Sequence, residues 1–453
     1  MGLFDAELIN KYNCSGPRYT SYPTANNFSI FSLKDYQQQS ALSKRRKTSI
    51  SLYCHIPFCD TVCYYCGCNK VVTKDKTKAE PYLDALYKEI DMQSLLFGKE
   101  QVVKQMHFGG GTPTFLSGEQ IIQLSNKLQQ AFNFDLDGEY SIEIDPRGID
   151  KNLIESLAMA RFNRISIGVQ DFDLEVQKAV NRVQSFKQTK AVIDISRKNG
   201  FDSISIDLIY GLPRQSKDTF IKTLEKVNEL RPERISLFNY AHLPVLFKPQ
   251  RRIVLEELPS PAEKLKIFQY SLEYLIDQGY IYIGMDHFAL PNDPLAIAQS
   301  EGNLYRNFQG YSTHSECDII GLGVSSIGQV ADSFSQNKKS LERYYQALKS
   351  GQLPISKGLI VNKDDKIRRA LIMEMICHFE VNILKLEERF CIKFTNYFAE
   401  NIEKLQQMQN DGLIEFNSHS IIVMERGKLL VRNICMVFDS YLGSTEASFS
   451  KTI

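Results

Sequence analysis

The residues best suited to chemistry in this sequence are three closely spaced cysteines. Cys59, Cys63 and Cys66 form a C-x3-C-x2-C array directly after a β-rich run, and five of the ten cysteines lie between residues 54 and 68. Thiols this close together on one loop predict a metal site. A structural zinc or an electron-carrying [4Fe-4S] cluster takes four protein ligands, whereas three thiolates leave one iron open for chemistry. A zinc site, or a four-thiolate cluster that also uses Cys68, remains the alternative.

The elements around this array predict a parallel α/β sheet. From about residue 49 to 240, short β-rich runs alternate with helical patterns, as in repeated βα units. Ser117 with Gln120, and Ser185 with Gln188, have the spacing of capping boxes at helix starts. Six such units form either a doubly wound open sheet or an incomplete barrel, and periodicity does not decide between the two. The candidate strands are 49–54, 104–108, 140–144, 164–169, 203–209 and 234–238.

Unusual residues fall at the ends of these predicted strands, where βα loops build the sites of barrel enzymes. Three consecutive glycines at 109–111 allow the backbone to approach a ligand closely, because glycine has no Cβ. Glu143 stands on an apolar strand, where an unpaired carboxylate would be costly to bury. The remaining residues at such ends are Gln170, Asp207 and Ala241.

Composition excludes several classes of protein. Hydrophobic residues make up 43% and charged residues 24%, which is the balance of a globular chain. A formal charge of +1 provides no basic footprint, so we expect a small-molecule substrate and no nucleic acid. We find no signal peptide and no membrane-spanning run, which predicts a cytoplasmic protein without a membrane partner. Thiols stay reduced in that compartment, which agrees with a metal site.

The chain divides by pattern into three predicted parts. Residues 1–48 form an N-terminal arm, 49–355 the βα region with an extension, and 356–453 a mainly helical domain. The last part contains a possible hairpin over 413–416 and 421–423. Helices with a small hairpin can resemble a winged-helix DNA module, but no strongly basic face accompanies them, which argues against DNA binding.

The cysteine array resembles that of the radical S-adenosylmethionine superfamily, whose open iron chelates the methionine end of S-adenosylmethionine. Within it, the chain is similar to the oxygen-independent coproporphyrinogen III oxidases along nearly its whole length. The resemblance implies a partial (β/α)6 barrel with an N-terminal arm and a mainly helical C-terminal domain. Cys54 and Tyr65 depart from the family pattern, which has an aliphatic residue and a phenylalanine there. The similar blocks are GPRYTSYPTA (16–25), YCHIPFC (53–59), CGCNK (66–70), FGGGTPT (108–114), IEIDPR (142–147), RISIGVQDF (164–172), VNR (180–182), IDLIYGLP (206–213), FNYAHLP (238–244), GMDHFA (284–289) and NFQGY (307–311).

The resemblance also implies the roles of individual residues. Cys59, Cys63 and Cys66 would bind a [4Fe-4S] cluster, and Cys68 would support catalysis unless it is a free thiol. Two molecules of S-adenosylmethionine are implied. Residues for the first are Tyr53, Gly110, Glu143 and Ile327. Residues for the second are Tyr65, Gly111, Thr112, Gln170, Arg182, Asp207 and Ala241. Without the resemblance, core packing would explain Tyr53 and Ile327 equally well. Residues such as Arg182 and Asp207 are more often ordinary salt-bridge residues.

The expected activity is anaerobic oxidative decarboxylation of two propionates of coproporphyrinogen III by a 5'-deoxyadenosyl radical, giving protoporphyrinogen IX. Substrate carboxylates call for arginines, and Arg18, Arg147 and Arg214 are candidates. We expect a monomer that works with an unidentified electron donor and electron acceptor.

Two other functions remain open on the sequence. Haem-binding chaperones of the same superfamily share the cluster but typically lack the CGCNK continuation, which this chain has at 66–70. A radical S-adenosylmethionine methyltransferase acting on a haem-like ring could also use two cofactors.

Overall fold

A computed structural model describes residues 3–443 and 449–452, so residues 1, 2, 444–448 and 453 lie outside the description. The chain forms two compact units. The barrel unit combines Ser29–Gln278 with Glu316–Ile360, and the three-segment unit combines the chain up to Phe28, Gly279–Ser315 and the chain from Val361. These units are groups of residues in contact, and the division predicted at residues 48 and 355 stays a prediction. None of the helices described here has the length and apolarity needed to cross a membrane.

Six parallel strands form the centre of the barrel unit, and all six candidate strands are present. They pair in the order of the sequence, from the first to the sixth. A doubly wound sheet would reverse its strand order at a switch point. Sequential pairing without reversal is the arrangement of a barrel, which confirms the predicted partial barrel. The strands are β1 Ile50–Ile56, β2 Val102–Gly110, β3 Asn133–Ile144, β4 Arg164–Gln170, β5 Ser203–Tyr210 and β6 Arg234–Asn239.

Four later strands extend the sheet beyond β1. β7 (Asp318–Leu322) pairs with β1 in parallel, and β8 (Ile327–Val330), β9 (Ser333–Asn337) and β10 (Ile355–Ile360) follow in antiparallel pairs. Strand β1 therefore lies inside the sheet, and six of its seven residues are buried. An apolar run buried on both faces is typical of a parallel strand.

Helices follow the strands and cover the sheet. The two predicted capping boxes are confirmed: Ser117 and Ser185 each accept from the backbone of the residue three positions on, and the glutamine there caps the serine in return. Ile121, Leu124 and Leu128 form a buried apolar stripe along the helix Gly118–Ala131. The helices of this unit are Leu33–Arg46, Ala79–Ser94, Gly118–Ala131, Lys151–Met159, Leu174–Ala179, Phe186–Lys198, Lys217–Leu230, Pro261–Asp277 and Leu341–Lys349.

The three-segment unit is mainly helical and has one shared apolar core. That core takes Leu8 and Tyr19 from the first segment, Ile283 from the second, and Leu371 and Phe438 from the third. Ile414–Phe416 pairs with Ser420–Val423 as the predicted hairpin, and Glu380–Asn382 adds a third strand. Its helices are Ala6–Tyr12, Pro294–Ser300, Lys363–His378, Ile383–Phe390, Phe394–Tyr397, Ile402–Asn410 and Val431–Met436, and its other strands are Ile281–Gly284, His287–Ala289, Tyr305–Asn307 and Gly310–Ser312.

Candidate active site

The three cysteines lie on a loop whose base is closed by a short parallel ladder after β1. Phe58–Cys59 pairs with Val71–Val72, and the Thr73 backbone N–H donates to the Cys59 carbonyl at 2.9 Å. Within the loop, the Cys66 N–H donates to the Cys63 carbonyl at 3.2 Å. Cys59 and Cys63 are buried and Cys66 is half-buried, whereas Cys68 is exposed. The ladder therefore holds the array in one compact turn.

Two arginines place positive charge on the middle thiol. Arg182 Nη1 lies 3.5 Å and Arg147 Nη2 lies 3.8 Å from Cys63 Sγ. Asp145 orients both guanidinium groups, at 2.9 Å from Arg182 and 2.6 Å from Arg147. Donors held close to a metal-binding sulfur orient it and tune the metal that it binds.

The protonation of the other thiols depends on burial and on hydrogen bonds. Burial raises the pKa of Cys59 to about 11, against the hydrogen bond that Thr112 Oγ1 donates to its sulfur at 3.5 Å. A hydrogen bond with the Cys68 thiol lowers the pKa of Cys66 below its usual range. Metal ligation requires deprotonated thiols. Three cysteines on one loop with cationic neighbours and a hydroxyl donor thus fit an iron–sulfur cluster bound through three thiolates.

The glycine run at the end of β2 lies against the cysteine loop. Gly111 N–H donates to the Ile56 carbonyl at 2.8 Å, and a Cβ on Gly111 would come within 2.7 Å of the Pro57 and Phe58 carbonyl oxygens. Gly110 has φ of +115°, and a Cβ there would meet the His55 ring at 2.5 Å. Only glycine fits these two positions.

Glu143 on β3 reaches the same glycine run. Its Oε2 accepts from the Gly110 N–H at 3.1 Å, and its Oε1 lies 3.2 Å from His107 Nε2. Burial raises the pKa of Glu143, but the hydrogen bonds from His107 and Gly110 outweigh it, so the pKa is lowered. An ionised carboxylate at this point can accept hydrogen bonds from an ammonium group.

Polar groups of β4, of the segment that follows it and of β5 line the next part of the wall. Gln170 has φ of +69°, and its buried Oε1 accepts no hydrogen bond from any described residue. Buried Arg182 donates to the Gly168 carbonyl at 2.6 Å, while its Nε has no partner among those residues. Burial raises the pKa of Asp207 to about 6, and Ser166 Oγ donates to it at 3.1 Å. Orphaned buried polar atoms indicate a missing ligand or water.

One cavity brings together most of the residues predicted for the site. Its wall comes from the cysteine loop and from the ends of β2 to β6. The predicted residues that line it are Cys59, Cys63, Tyr65, Cys66, Cys68, Gly110, Gly111, Thr112, Glu143, Gln170, Arg182 and Asp207. Their ligand roles stay predictions, but their convergence is what a barrel site requires.

Three predicted residues lie outside this lining. Tyr53 is half-buried on β1, where its ring stacks on His107 with centroids 5.9 Å apart. Ile327 begins β8, and its backbone would meet a Cβ on Gly321, the β7 residue that pairs with Tyr53. Ala241 follows β6, and its carbonyl accepts from Gln250 Nε2 at 3.2 Å. Their predicted roles also stay predictions.

Sequence reasoning missed residues that shape the cavity. Asp145 follows β3 directly and lines the cavity with Lys70 and Ser166. Lys70 Nζ donates to the Cys66 carbonyl at 3.0 Å. The sequence signal for Asp145 was its position directly after the strand that carries Glu143, within the block IEIDPR (142–147). Of the arginines considered for substrate, Arg147 lines the cavity, whereas Arg18 pairs with Asp286 and Arg214 with Glu175 and Glu257.

A parallel barrel whose strand ends converge on a three-cysteine loop defines a radical S-adenosylmethionine enzyme. The profile of the radical SAM superfamily matches residues 53–227, and that of the HemN C-terminal domain matches residues 361–430. Such enzymes use a [4Fe-4S] cluster and S-adenosylmethionine, which confirms these two predicted cofactors. The binding of two molecules of S-adenosylmethionine stays a prediction. The chain belongs to the family of oxygen-independent coproporphyrinogen III oxidases.

Relatives that align with nearly the whole chain support this family assignment. The chain is 50% identical to the oxygen-independent coproporphyrinogen III oxidase of Pseudomonas aeruginosa over 99% of both chains. It is 47% identical to the Escherichia coli enzyme, over 97% of this chain and 96% of that one. The solved structure of coproporphyrinogen III oxidase (HemN) from Escherichia coli superposes with a TM-score of 0.93, at 46% identity, over 97% of this chain and 99% of that chain. The predicted oxidase is thereby supported over the haem-binding chaperone.

Proposed function

We propose that this chain converts two propionate side chains of coproporphyrinogen III to vinyl groups without oxygen, giving protoporphyrinogen IX. The observation that carries the proposal is the single cavity that joins three cysteine thiols to ionisable side chains from successive strand ends. Each conversion removes one hydrogen atom from the carbon β to the carboxylate, releases carbon dioxide and passes one electron to an acceptor.

The chain's own residues hold and orient the reactants. Cys59, Cys63 and Cys66 would bind the cluster, and Arg147 and Arg182 would stabilise negative charge on Cys63. When bound, the cluster and S-adenosylmethionine supply a 5'-deoxyadenosyl radical, which suits an unactivated C–H bond. Orientation and exclusion of competing reactions are then the main tasks of the protein.

A first molecule of S-adenosylmethionine would lie at Gly110 and Glu143. The bare Gly110 backbone admits the methionine end, and the ionised Glu143 carboxylate accepts from its ammonium group. Tyr53 and Ile327 are proposed to pack near the adenine, as the family resemblance implies.

A second molecule would lie against Gln170, Arg182 and Asp207. The unpartnered Gln170 Oε1 can accept from an N–H or O–H group, and the unpartnered Arg182 Nε can donate to a carboxylate. The other residues proposed for this molecule are Tyr65, Gly111, Thr112 and Ala241. Cys68 is proposed to support turnover, because it lines the cavity and its thiol hydrogen-bonds to Cys66, yet it lies outside the three-ligand set.

The decisive experiment is anaerobic reconstitution and reduction, followed by incubation with coproporphyrinogen III. We expect release of carbon dioxide together with 5'-deoxyadenosine, and neither product from Cys63→Ala. If the reduced parent binds haem tightly but releases no carbon dioxide, the chaperone function replaces this proposal. The electron donor and acceptor, the monomeric state, the cytoplasmic location and the absence of nucleic-acid and membrane partners stay predictions.

A further inference from the structure

The segment that follows β6, residues 242–258, carries an unusual apolar surface. Val245 is 85% exposed and Leu246 58%, and Leu255 in the next turn is 61% exposed. Single exposed apolar residues are normal, but several together in one short segment mark an interaction surface. We call residues 242–258 the β6 segment.

The β6 segment also carries exposed cations. Lys248, Arg251 and Arg252 are exposed, and within residues 3–443 and 449–452 none of them forms an ion pair with a carboxylate. Arg251 Nε donates to the Pro244 carbonyl at 3.0 Å, and Arg252 lies over the Tyr64 ring at 5.4 Å. Apolar side chains flanked by charged ones are typical of protein interfaces, where charge guides encounter.

This surface is anchored to the loop that carries the cysteines. The Phe247 ring packs against Gly67, the residue directly after Cys66. A Cβ added to Gly67 would lie 3.0 Å from the Cζ atom of that ring. Gln250 Nε2 donates to the Tyr65 carbonyl at 2.9 Å. Tyr64 and Tyr65 pack on the small core that includes Ile253. The β6 segment therefore lies in direct contact with residues adjacent to the third thiol.

We propose that Val245, Leu246, Lys248 and Arg251 form the docking surface for a small acidic protein that carries single electrons and reduces the cluster. The proposal rests on the proposed function, since that reaction requires a reduced cluster. In the docked complex the carrier loses one electron and the oxidised cluster gains it, and no covalent bond changes. An acidic carrier complements the cations, and the contact of Phe247 with Gly67 brings it next to the cysteine loop.

Binding is tested with purified flavodoxin as the acidic carrier and the reconstituted holoenzyme, in anaerobic titrations at low and high salt. The double variant Lys248→Glu, Arg251→Glu should weaken flavodoxin binding at least about tenfold and flatten its salt dependence. Its matched control is Lys187→Glu, Lys198→Glu, which makes the same charge change at exposed positions of the Phe186–Lys198 helix. The apolar pair Val245→Ser, Leu246→Ser should also weaken binding, whereas Leu136→Ser, Met159→Ser, at residues 81% and 72% exposed, should not.

Turnover separates this surface from the reaction itself. With flavodoxin as reductant, the β6-segment variants should cleave S-adenosylmethionine at least about tenfold more slowly than the parent. With dithionite, a small reductant that needs no docking, they should match the parent, and an unchanged cluster absorbance shows that they are folded.

Three results overturn the proposal: no binding of flavodoxin to the parent, parent-like binding by both β6-segment variants, or loss of a dimer in those variants, which would make a second copy the occupant. Failure of the parent to decarboxylate coproporphyrinogen III with dithionite would instead contradict the proposed function. The binding titrations would still show whether the β6 segment binds flavodoxin.

Discussion

Cys63 shows how charge is arranged around a single residue. Arg147 and Arg182 approach its sulfur, and both are held by Asp145. One carboxylate thus fixes two donors on one thiol, so the thiol is oriented before any metal binds. Residues that orient a ligand in this way matter nearly as much as the ligand itself.

We predict that each of Cys59→Ala, Cys63→Ala and Cys66→Ala abolishes the cluster, because two thiolates cannot hold it in place. Cys68→Ser should keep the cluster but impair decarboxylation. Iron content per chain after anaerobic reconstitution measures the first effect, and carbon dioxide release measures the second. Four irons retained in Cys63→Ala, or lost in Cys68→Ser, would reverse the ligand assignment.

We predict that Asp207→Asn removes the second molecule of S-adenosylmethionine and leaves the cluster intact. The substitution keeps the shape but removes the charge that would meet an ammonium group, while Arg182 also touches Cys63 and is a less selective position. Equilibrium dialysis should give two bound molecules for the parent and one for the variant. Asp202→Asn, exposed just before β5, is the control and should bind two. A parent value of one would contradict the assignment.

At this scale the sequence predicted most side chains that line the cavity but not their partners. Gly110 and Gly111 could be predicted because three glycines in a row are rare at the end of a strand. Asp145 was not, since its contact with Arg182 joins positions far apart in the chain and depends on how β3 and the helix after β4 are placed. Spacing along the sequence contains no such information.

Among the elements, the helix Ala79–Ser94 is tied to the loop after β7, to β9 and to the helix Leu341–Lys349 by one buried carboxylate. Glu89 accepts from the Gly323 N–H at 2.8 Å, from Asn337 Nδ2 at 2.6 Å and from Tyr344 Oη at 2.6 Å. On the same helix, Tyr82 Oη donates to the His55 carbonyl at 2.5 Å. These bonds fix the end of β1, from which the cysteine loop begins, against the loop after β7.

We predict that this carboxylate makes stability fall as the pH rises. Burial raises the pKa of Glu89 to about 7 from its ordinary 4.5, so the folded chain binds the proton more tightly. Its contribution is complete below about pH 4.5 and is lost as the pH rises through about 7. Between those pH values the free energy of unfolding of the parent should fall by about 1–3 kcal/mol more than that of Glu89→Gln.

Urea unfolding of the metal-free chain gives the free energy of unfolding at several pH values. The difference in this free energy between the parent and Glu89→Gln isolates the effect of Glu89 from that of all other groups. The parent's advantage over the variant should shrink from pH 5 to pH 8. Glu80→Gln, exposed on the same helix, serves as the control. A difference from Glu89→Gln that stays constant with pH would refute the prediction.

The six barrel strands could be predicted from the sequence because each is a short apolar run between helical patterns. Their ends could not: β3 begins at Asn133, although its clear apolar run starts at Tyr140. The pairing of β7 with β1 also lay beyond the sequence, since it joins Ile50 to Asp318 across most of the chain. Local periodicity carries no signal for such distant pairs.

For the molecule as a whole, the three-segment unit depends on parts that are far apart in the chain. Leu8, Tyr19 and Ile283 find their apolar neighbours among residues such as Leu371 and Phe438. No single segment provides both sides of that core. The sequence predicted an N-terminal arm and a C-terminal domain because the pattern of predicted strands and helices changes at those points, and such a local pattern carries no signal for a core shared between distant segments.

We predict that a chain ended after Ile360 does not fold into a stable molecule. Loss of the third segment removes Leu371, Phe398 and Phe438 from the core and leaves the first two segments with unburied apolar surface. The shortened chain should aggregate and bind an apolar dye strongly. Co-expression of residues 361–453 as a separate chain should restore a soluble complex. A monomeric, dye-negative shortened chain would contradict the shared core.

The same interleaving has a consequence for biosynthesis. The first segment leaves the ribosome before the other two, and more than three hundred further residues must be translated before the third segment begins at Val361. At about 5–20 residues per second, this takes on the order of 20 to 70 s. During that interval Leu8, Tyr19 and Tyr22 lack the core neighbours that the third segment supplies, so the first segment of the nascent chain exposes apolar side chains to which a ribosome-associated chaperone can bind. Synonymous codons that slow translation of the middle of the message should therefore lower the yield of folded enzyme more than the same codons placed after residue 361.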